Sequence, residues 1–343
     1  MSRHMKYLLI SVLVTGSLLW AAPAKADIAA GLKAREAERW EQALTEFKKD
    51  LKSEQTRFEA NWHLGETLVM IGEPKAALEF LEAAVAENSE HANAQYWWGA
   101  ANGEVAGKAS IFSAAKYAKA CRKAFEKAVA LDPDHLDARE GLMQYYLEAP
   151  GFLGGDQDKA LEQAKEIMAR NKERGYLNMA AVYQNQKDPT KALEAYNDLL
   201  MAYPKSTRGL FMRGLMHRKN KRFEEAYSDF RTLAAINPAF DIQDPKAAAY
   251  RVRLGLYFMG AVSSQAKIHV TDGINSLRAF LATDDFDIPA RKGYGQYYLA
   301  TLYLADGNLD EARSALMLAM KVAKDKDLKK KLKKLRKQIK KLI

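Results

Sequence analysis

The sequence predicts an all-α protein, a right-handed superhelical α-solenoid of about eight helix pairs followed by a basic C-terminal helix. Three observations predict it. Small residues recur in a 34-residue phase, first as Gly31, Gly65 and Gly99, then as Ala180 and Gly214. An alanine follows most of them by 12 positions and opens an Ala-x-x-x-aromatic/Leu step, as in Ala43/Phe47, Ala77/Leu81, Ala192/Tyr196 and Ala226/Phe230. Proline is scarce, nine in 343 residues, and marks the ends of second helices at Pro133, Pro204 and Pro238. These residue types have a geometric reason. Antiparallel helices approach closely only where facing positions are small, and large residues three or four positions away fill the flanking grooves. A period of this length builds a stacked array rather than one core.

Residues 1–26 are expected to be a cleaved secretory signal. Arg3 and Lys6 precede an apolar stretch from Tyr7 to Ala22, and Ala24-Lys25-Ala26 offers a small-x-small cleavage pattern. The alternative is an uncleaved anchor, but the apolar run falls short of the roughly 20 residues that span a bilayer. Cys121 is the only cysteine, so no internal disulfide framework is possible. Together these features point to a bacterial periplasm.

The phase divides residues 27–324 into eight pairs: 27–55, 58–89, 92–133, 136–171, 173–204, 207–238, about 246–284 and 293–324. Residues 325–343 are left as a lysine-rich amphipathic helix. Three copies depart from the pattern. Gly99 to Cys121 is 22 residues, which marks Gly107–Ala118 as an insertion, and Met143 to Ala160 is 17, with the extra residues in the 149–155 loop. The seventh pair is the poorest match, with Gly273 in its second small slot.

Tyr176, Met179, Ala180, Tyr183, Ala192, Tyr196 and Pro204 carry the pattern most cleanly. The chain thereby resembles the tetratricopeptide repeat family, W-x2-L-G-x2-Y…A-x3-F…P, in degenerate form over most of residues 27–320. The stretch from Asp137 to Ala164 is also similar to a loop of uncharacterised exported tetratricopeptide proteins of Gram-negative bacteria. The resemblance implies that the first helix of each pair lines a concave groove. Carried over slot by slot, it places Trp62, Tyr96, Leu177, Phe211 and Tyr297 toward that groove, with Arg208 and Tyr294 nearby. These side chains are candidate anchors for a peptide segment or partner protein; packing between repeats is the competing reading. The family's carboxylate clamp is not matched, because Glu66 and Glu140 stand where it needs neutral or basic groups.

Enzymatic chemistry finds no foothold. No H-E-x-x-H, paired-Cys or Cys/His metal spacing is present, nor a G-x-S-x-G elbow or phosphate-binding glycine loop. Gly154-Gly155-Asp156 reads as a turn into a helix capped by Asp156. Cys121 occupies a small-residue slot and reads as packed and inert. No catalytic residue, metal, cofactor or nucleic acid is expected; the expected function is a non-enzymatic adaptor or scaffold.

The charge is local. Residues 321–343 hold 12 Lys/Arg against two Asp, a net of +10, which equals the net charge of the whole chain. Leu328, Leu332, Leu335, Ile339 and Leu342 form one apolar stripe on this helix. The stripe reads as a cap on the last repeat. Lys329, Lys330, Lys333, Lys334, Lys337, Lys340 and Lys341 on the other faces offer a contact for anionic lipid, lipopolysaccharide or cell-wall polymer. Both readings can hold together.

Overall fold

The computed structural model describes residues 28–240, 244–283 and 289–342. The expected signal at residues 1–26 lies outside them. The described residues form seventeen α-helices and two short 3₁₀ turns, with no strand among them. They make an all-α solenoid of helix pairs that divides into two compact units, Met1–Ala138 and Arg139–Ile343.

The first unit contains α1 (Ala29–Glu36), α2 (Trp40–Asp50), α3 (Arg57–Met70), α4 (Pro74–Glu87), α5 (Ala92–Lys108) and α6 (Ile111–Leu131). The division falls inside α7 (Leu136–Glu148). The second unit continues with α8 (Gln157–Arg170), α9 (Lys172–Asn185), α10 (Pro189–Ala202), α11 (Thr207–Lys219) and α12 (Phe223–Ala234). It ends with α13 (Pro245–Ala266), α14 (Val270–Leu281), α15 (Pro289–Ala305), α16 (Leu309–Val322) and α17 (Lys326–Lys340). Within the first unit α1 packs on α2, α2 on α3, α3 on α4, α4 on α5 and α5 on α6, and within the second every helix from α8 to α17 packs on the next. First helices of successive pairs also touch, α3 on α5 in the first unit, and α11 on α13 and α13 on α15 in the second.

The small-residue phase becomes a packing rule. Gly31 faces Phe47, Gly65 faces Leu81, Gly214 faces Phe230 and Gly260 faces Leu277, so that a Cβ on any of these glycines would overlap the larger side chain. All four large partners are fully buried. Tight turns join the helices of a pair, with one residue in the left-handed region: Gly72 (φ 85°), Lys187 (φ 60°), Lys221 (φ 59°) and Gly307 (φ 81°). Entry into the following helices is secured by side-chain caps. Asp156 accepts from the N–H groups of Asp158 and Lys159 at 3.0 and 3.2 Å, and Asp188, Ser206 and Asn308 act likewise.

The expected insertion Gly107–Ala118 is not a loop. It lengthens both helices of its pair, α5 to 17 residues and α6 to 21, against 14 in each of α3 and α4, with only Ala109 and Ser110 between them. Ala-rich sequence continues a helix readily, so the extra residues extend the pair outward. The 149–155 segment does leave the helices. Gly151–Leu153 makes a 3₁₀ turn, Gly154 takes φ 96°, and the Tyr145 hydroxyl donates to the Leu153 carbonyl at 2.6 Å.

At the C-terminal end, Leu328, Leu332, Leu335 and Ile339 are buried in the core shared with α15 and α16. Burying each such side chain contributes about 1.5–3 kcal/mol. Gly293 on α15 leaves room for Leu328. Leu342 departs from the expected stripe: α17 ends at Lys340, and Leu342 beyond it is exposed.

Candidate partner-binding surface

In the first unit, Trp62 is half-buried in an aromatic column. Its ring stacks on His63 at 4.1 Å and lies 4.4 Å from His91, while Phe47 also stacks on His63, at 5.5 Å, and Phe58 meets His91 edge-on. The Trp62 indole N–H is buried without a hydrogen-bond partner among the described residues. Tyr96 takes the same place one pair later, half-buried 5.0 Å from His135 and 5.9 Å from Phe125. His91 and His135 are matched in role. The Nδ1 of each accepts a backbone N–H at 3.2 Å, from Ala94 and Ala138, capping the helix that follows. Nδ1 therefore carries no proton, and His135 Nε2 donates to Asn93 Oδ1 at 2.9 Å. Burial, followed by the nearby His63, lowers the pKa of His91 against the opposing pull of Glu59.

The acidic groups at the clamp positions are committed internally. Glu66 pairs with Arg35 and lies 2.9 Å from His63 Nδ1. In the second unit Glu140 accepts from Arg174 Nε at 2.9 Å and from Asn178 at 2.7 Å.

Among the second unit's candidates, Leu177 is corrected. It is buried in the core around Ala180, Ala192 and Tyr196, because α9 turns that side chain toward its own second helix. Arg208 is exposed. Phe211, Tyr294 and Tyr297 are half-buried and are joined by side chains that sequence reasoning did not single out. Phe211 lies 5.7 Å from Phe258, which adjoins Tyr257 at 5.0 Å. Tyr257 lies 5.9 Å from Tyr298, which contacts Tyr297 at 5.4 Å and Tyr294 at 6.3 Å. The result is an aromatic row crossing α11, α13 and α15. Tyr294 also has a second task. Its hydroxyl donates to the Asp325 and Asp327 carboxylates, each at 3.0 Å, and Lys331 sits 5.2 Å over its ring, which ties α15 to the start of α17.

Two arginines border this row. Arg218 Cζ is 5.3 Å and Arg291 Cζ 5.8 Å from the centre of the Phe258 ring, and Arg218 Nε donates to Gln265 at 3.0 Å. Their signal in the sequence is weak, since the two residues are far apart along the chain. All seven tail lysines expected at an anionic surface are exposed.

A cleft of about 270 Å³ between α10 and α12 is lined by Arg213, His217, Arg222 and Asp229, among others. Arg213 grips the buried Asp229 through two nitrogens and also donates to Asn197, while Arg222 pairs with Glu225. Burial pushes the Cys121 thiol up to about 12. Among the described residues no group of three or more His, Cys, Asp or Glu could hold a metal ion, and no helix is long and apolar enough to cross a membrane.

The repeated glycine-against-large contact and the left-handed turns identify the architecture, and the family profile described as tetratricopeptide repeat matches residues 28–102 and 177–241. These segments are tetratricopeptide repeats. A tetratricopeptide protein from Parabacteroides merdae shares the fold, with a TM-score of 0.51, 12% identity, and coverage of 80% of this chain and 96% of that one. A thermophilic tetratricopeptide protein of Thermus thermophilus is 20% identical, covering 55% of this chain and 96% of its own at a TM-score of 0.46. YrrB, described as a tetratricopeptide protein with an unusual peptide-binding site, is 19% identical over 54% of this chain and 91% of its own, at a TM-score of 0.41. No curated protein matches the chain in sequence.

Proposed function

We propose that the chain is a non-enzymatic adaptor of the bacterial periplasm that captures a peptide segment or partner protein on the first helices of its tetratricopeptide pairs. Tetratricopeptide proteins commonly bind protein or peptide partners and typically act as scaffolds. The observation that carries the reading here is the set of half-buried first-helix aromatics, Trp62 and Tyr96 in one unit and Phe211 and Tyr297 in the other. Large rings held rigidly with one edge accessible supply contact area at little entropic cost. The periplasmic location rests on the signal pattern of residues 1–26.

Substituting Trp62 or Phe211 by Ala would mix loss of contact with loss of packing, because both rings are wedged among neighbours. A photoreactive amino acid at the exposed position 208, and at the half-buried Ala100 one turn beyond Tyr96 on α5, avoids this. In-cell crosslinking should yield a discrete protein adduct from either position; smears or no adduct from both would remove the adaptor reading.

A second reading is favoured by α17. Its apolar stripe is buried while its seven outer lysines are exposed, so contact with an anionic envelope surface needs no unfolding of the cap. Cosedimentation of the full chain and of residues 1–320 with phosphatidylglycerol vesicles tests it. Equal sedimentation of the two would reject a role for the tail.

A further inference from the structure

The first helices of the last three pairs have an unusual charge content. Together α11, α13 and α15 carry nine Lys/Arg and no Asp or Glu. The first helix α3, by contrast, carries one arginine and two glutamates. Acidic residues of the last three pairs stand in the connecting segments, where Asp244 caps α13 and Asp284, Asp285 and Asp287 precede Arg291 in the sequence, and on the second helices α12, α14 and α16. Several of these are engaged there: Asp229 with Arg213, Glu225 with Arg222, Glu224 with His269, and Asp272 with the Tyr227 hydroxyl.

Because α11 packs on α13 and α13 on α15, the acid-free helices share one continuous side. Arg218 from the last turn of α11 and Arg291 from the first turn of α15 converge on the same Phe258 ring of α13. Arg291 also lies 5.7 Å over the Tyr257 ring. Both arginines are half-buried, and neither pairs with a carboxylate among the described residues. An aromatic face attracts a guanidinium by only about 0.5–2 kcal/mol, and two neighbouring guanidinia repel each other in a partly desolvated place. An incoming carboxylate relieves that repulsion and uses the planar donor fork of arginine in two-point contact.

We propose that the α11–α13–α15 side is a docking surface for an acidic segment of a partner protein, with Arg218 and Arg291 receiving its carboxylates above the Phe258 ring. Apolar side chains of the segment lie against the half-buried Phe211 and Tyr297, which flank the buried Tyr257 and Phe258. The surface differs from the family's carboxylate clamp, since its cations come from the opposite ends of two first helices around an aromatic on a third. The inference rests on the adaptor reading and names the chemistry of its partner.

Fluorescence anisotropy of the purified chain with a labelled peptide alternating Glu and Leu, and with its Gln-for-Glu counterpart, tests it. The Glu peptide should bind at least about tenfold more tightly, and added salt should weaken that binding. The pair Arg218→Gln and Arg291→Gln should remove the preference, with helix content unchanged by circular dichroism. Should that variant fail to fold, Arg218→Gln alone and the salt series on the unaltered chain carry the test. Changing the seven tail lysines to Gln should leave the preference in place. Equal affinity for the two peptides, no binding of either, or loss of the preference only in the tail variant would overturn the site. A partner crosslinked in cells whose capture ignores Arg218 and Arg291 also overturns it but leaves the adaptor standing. Absence of any crosslinked partner removes the adaptor instead.

Discussion

The His91 imidazole lies 4.4 Å from the Trp62 ring and accepts the Ala94 N–H through Nδ1, so one side chain both caps a first helix and packs on the preceding pair. Both tasks suit neutral histidine, since a protonated Nδ1 cannot accept. The lowered pKa of His91, caused mainly by burial, means the unfolded chain takes up this proton first. Stability is therefore complete above the unfolded value of about 6.5 and falls as pH drops from there toward the lowered folded value. His217 in the second unit shifts in the same direction, again mainly through burial. Thermal midpoints at about pH 7.5 and 5.5 should show the drop. His91→Asn, a cap that does not titrate, should start lower and show a flatter pH dependence.

Two glycines of the first unit should respond to alanine with opposite signs. A Cβ at Gly65 would overlap the fully buried Leu81. Overpacking there costs about 1–3 kcal/mol, which outweighs a helix-propensity gain of up to about 1 kcal/mol. Gly107, near the end of α5, has nothing within 4 Å of the same position. Gly107→Ala should stabilise by about 0.4–1 kcal/mol. Urea denaturation midpoints that move the same way for both variants would contradict this packing.

The cap formed by α17 depends on its apolar stripe and not on its seven outer lysines. Leu332→Ala, at a fully buried position, should cost about 2–5 kcal/mol. The loss should appear as faster amide exchange in α15, α16 and α17. Replacing the seven exposed lysines by Gln should leave that protection unchanged.

Cys121 should behave as a packing residue. With its thiol pushed up to about 12 and its side chain buried, it holds almost no thiolate near neutral pH. A disulfide reagent should leave it unmodified in the folded chain and label it fully once the chain is unfolded in denaturant. Rapid labelling under native conditions would place it elsewhere.

Much of the fold was legible because each pair repeats one local rule. The spacing that set Gly214 before Ala226 and Phe230 is the spacing that puts Phe230 against Gly214, and the pair expected at 207–238 contains α11 and α12. The insertion at 107–118 was visible as a count of residues, but a count does not say whether the extra residues continue a helix. Leu177 was misplaced toward solvent because its slot fixes a helical angle without stating how its neighbours fill the space. Tyr294 stood in an apt slot for a groove, yet its hydroxyl found the tail aspartates.

Residue order alone dictated which small position meets which large one within a pair, and that the last helix is apolar on one side and lysine-rich on the others. Those are contacts between residues close in the chain, set by helical periodicity. Stacking of separate pairs decided the rest: the burial of Phe258, the aromatic row from Phe211 to Tyr297, and the meeting of Arg218 with Arg291 on one ring. Residues 218, 258 and 291 share no local period, and only the packing of three first helices side by side brings their side chains to one place.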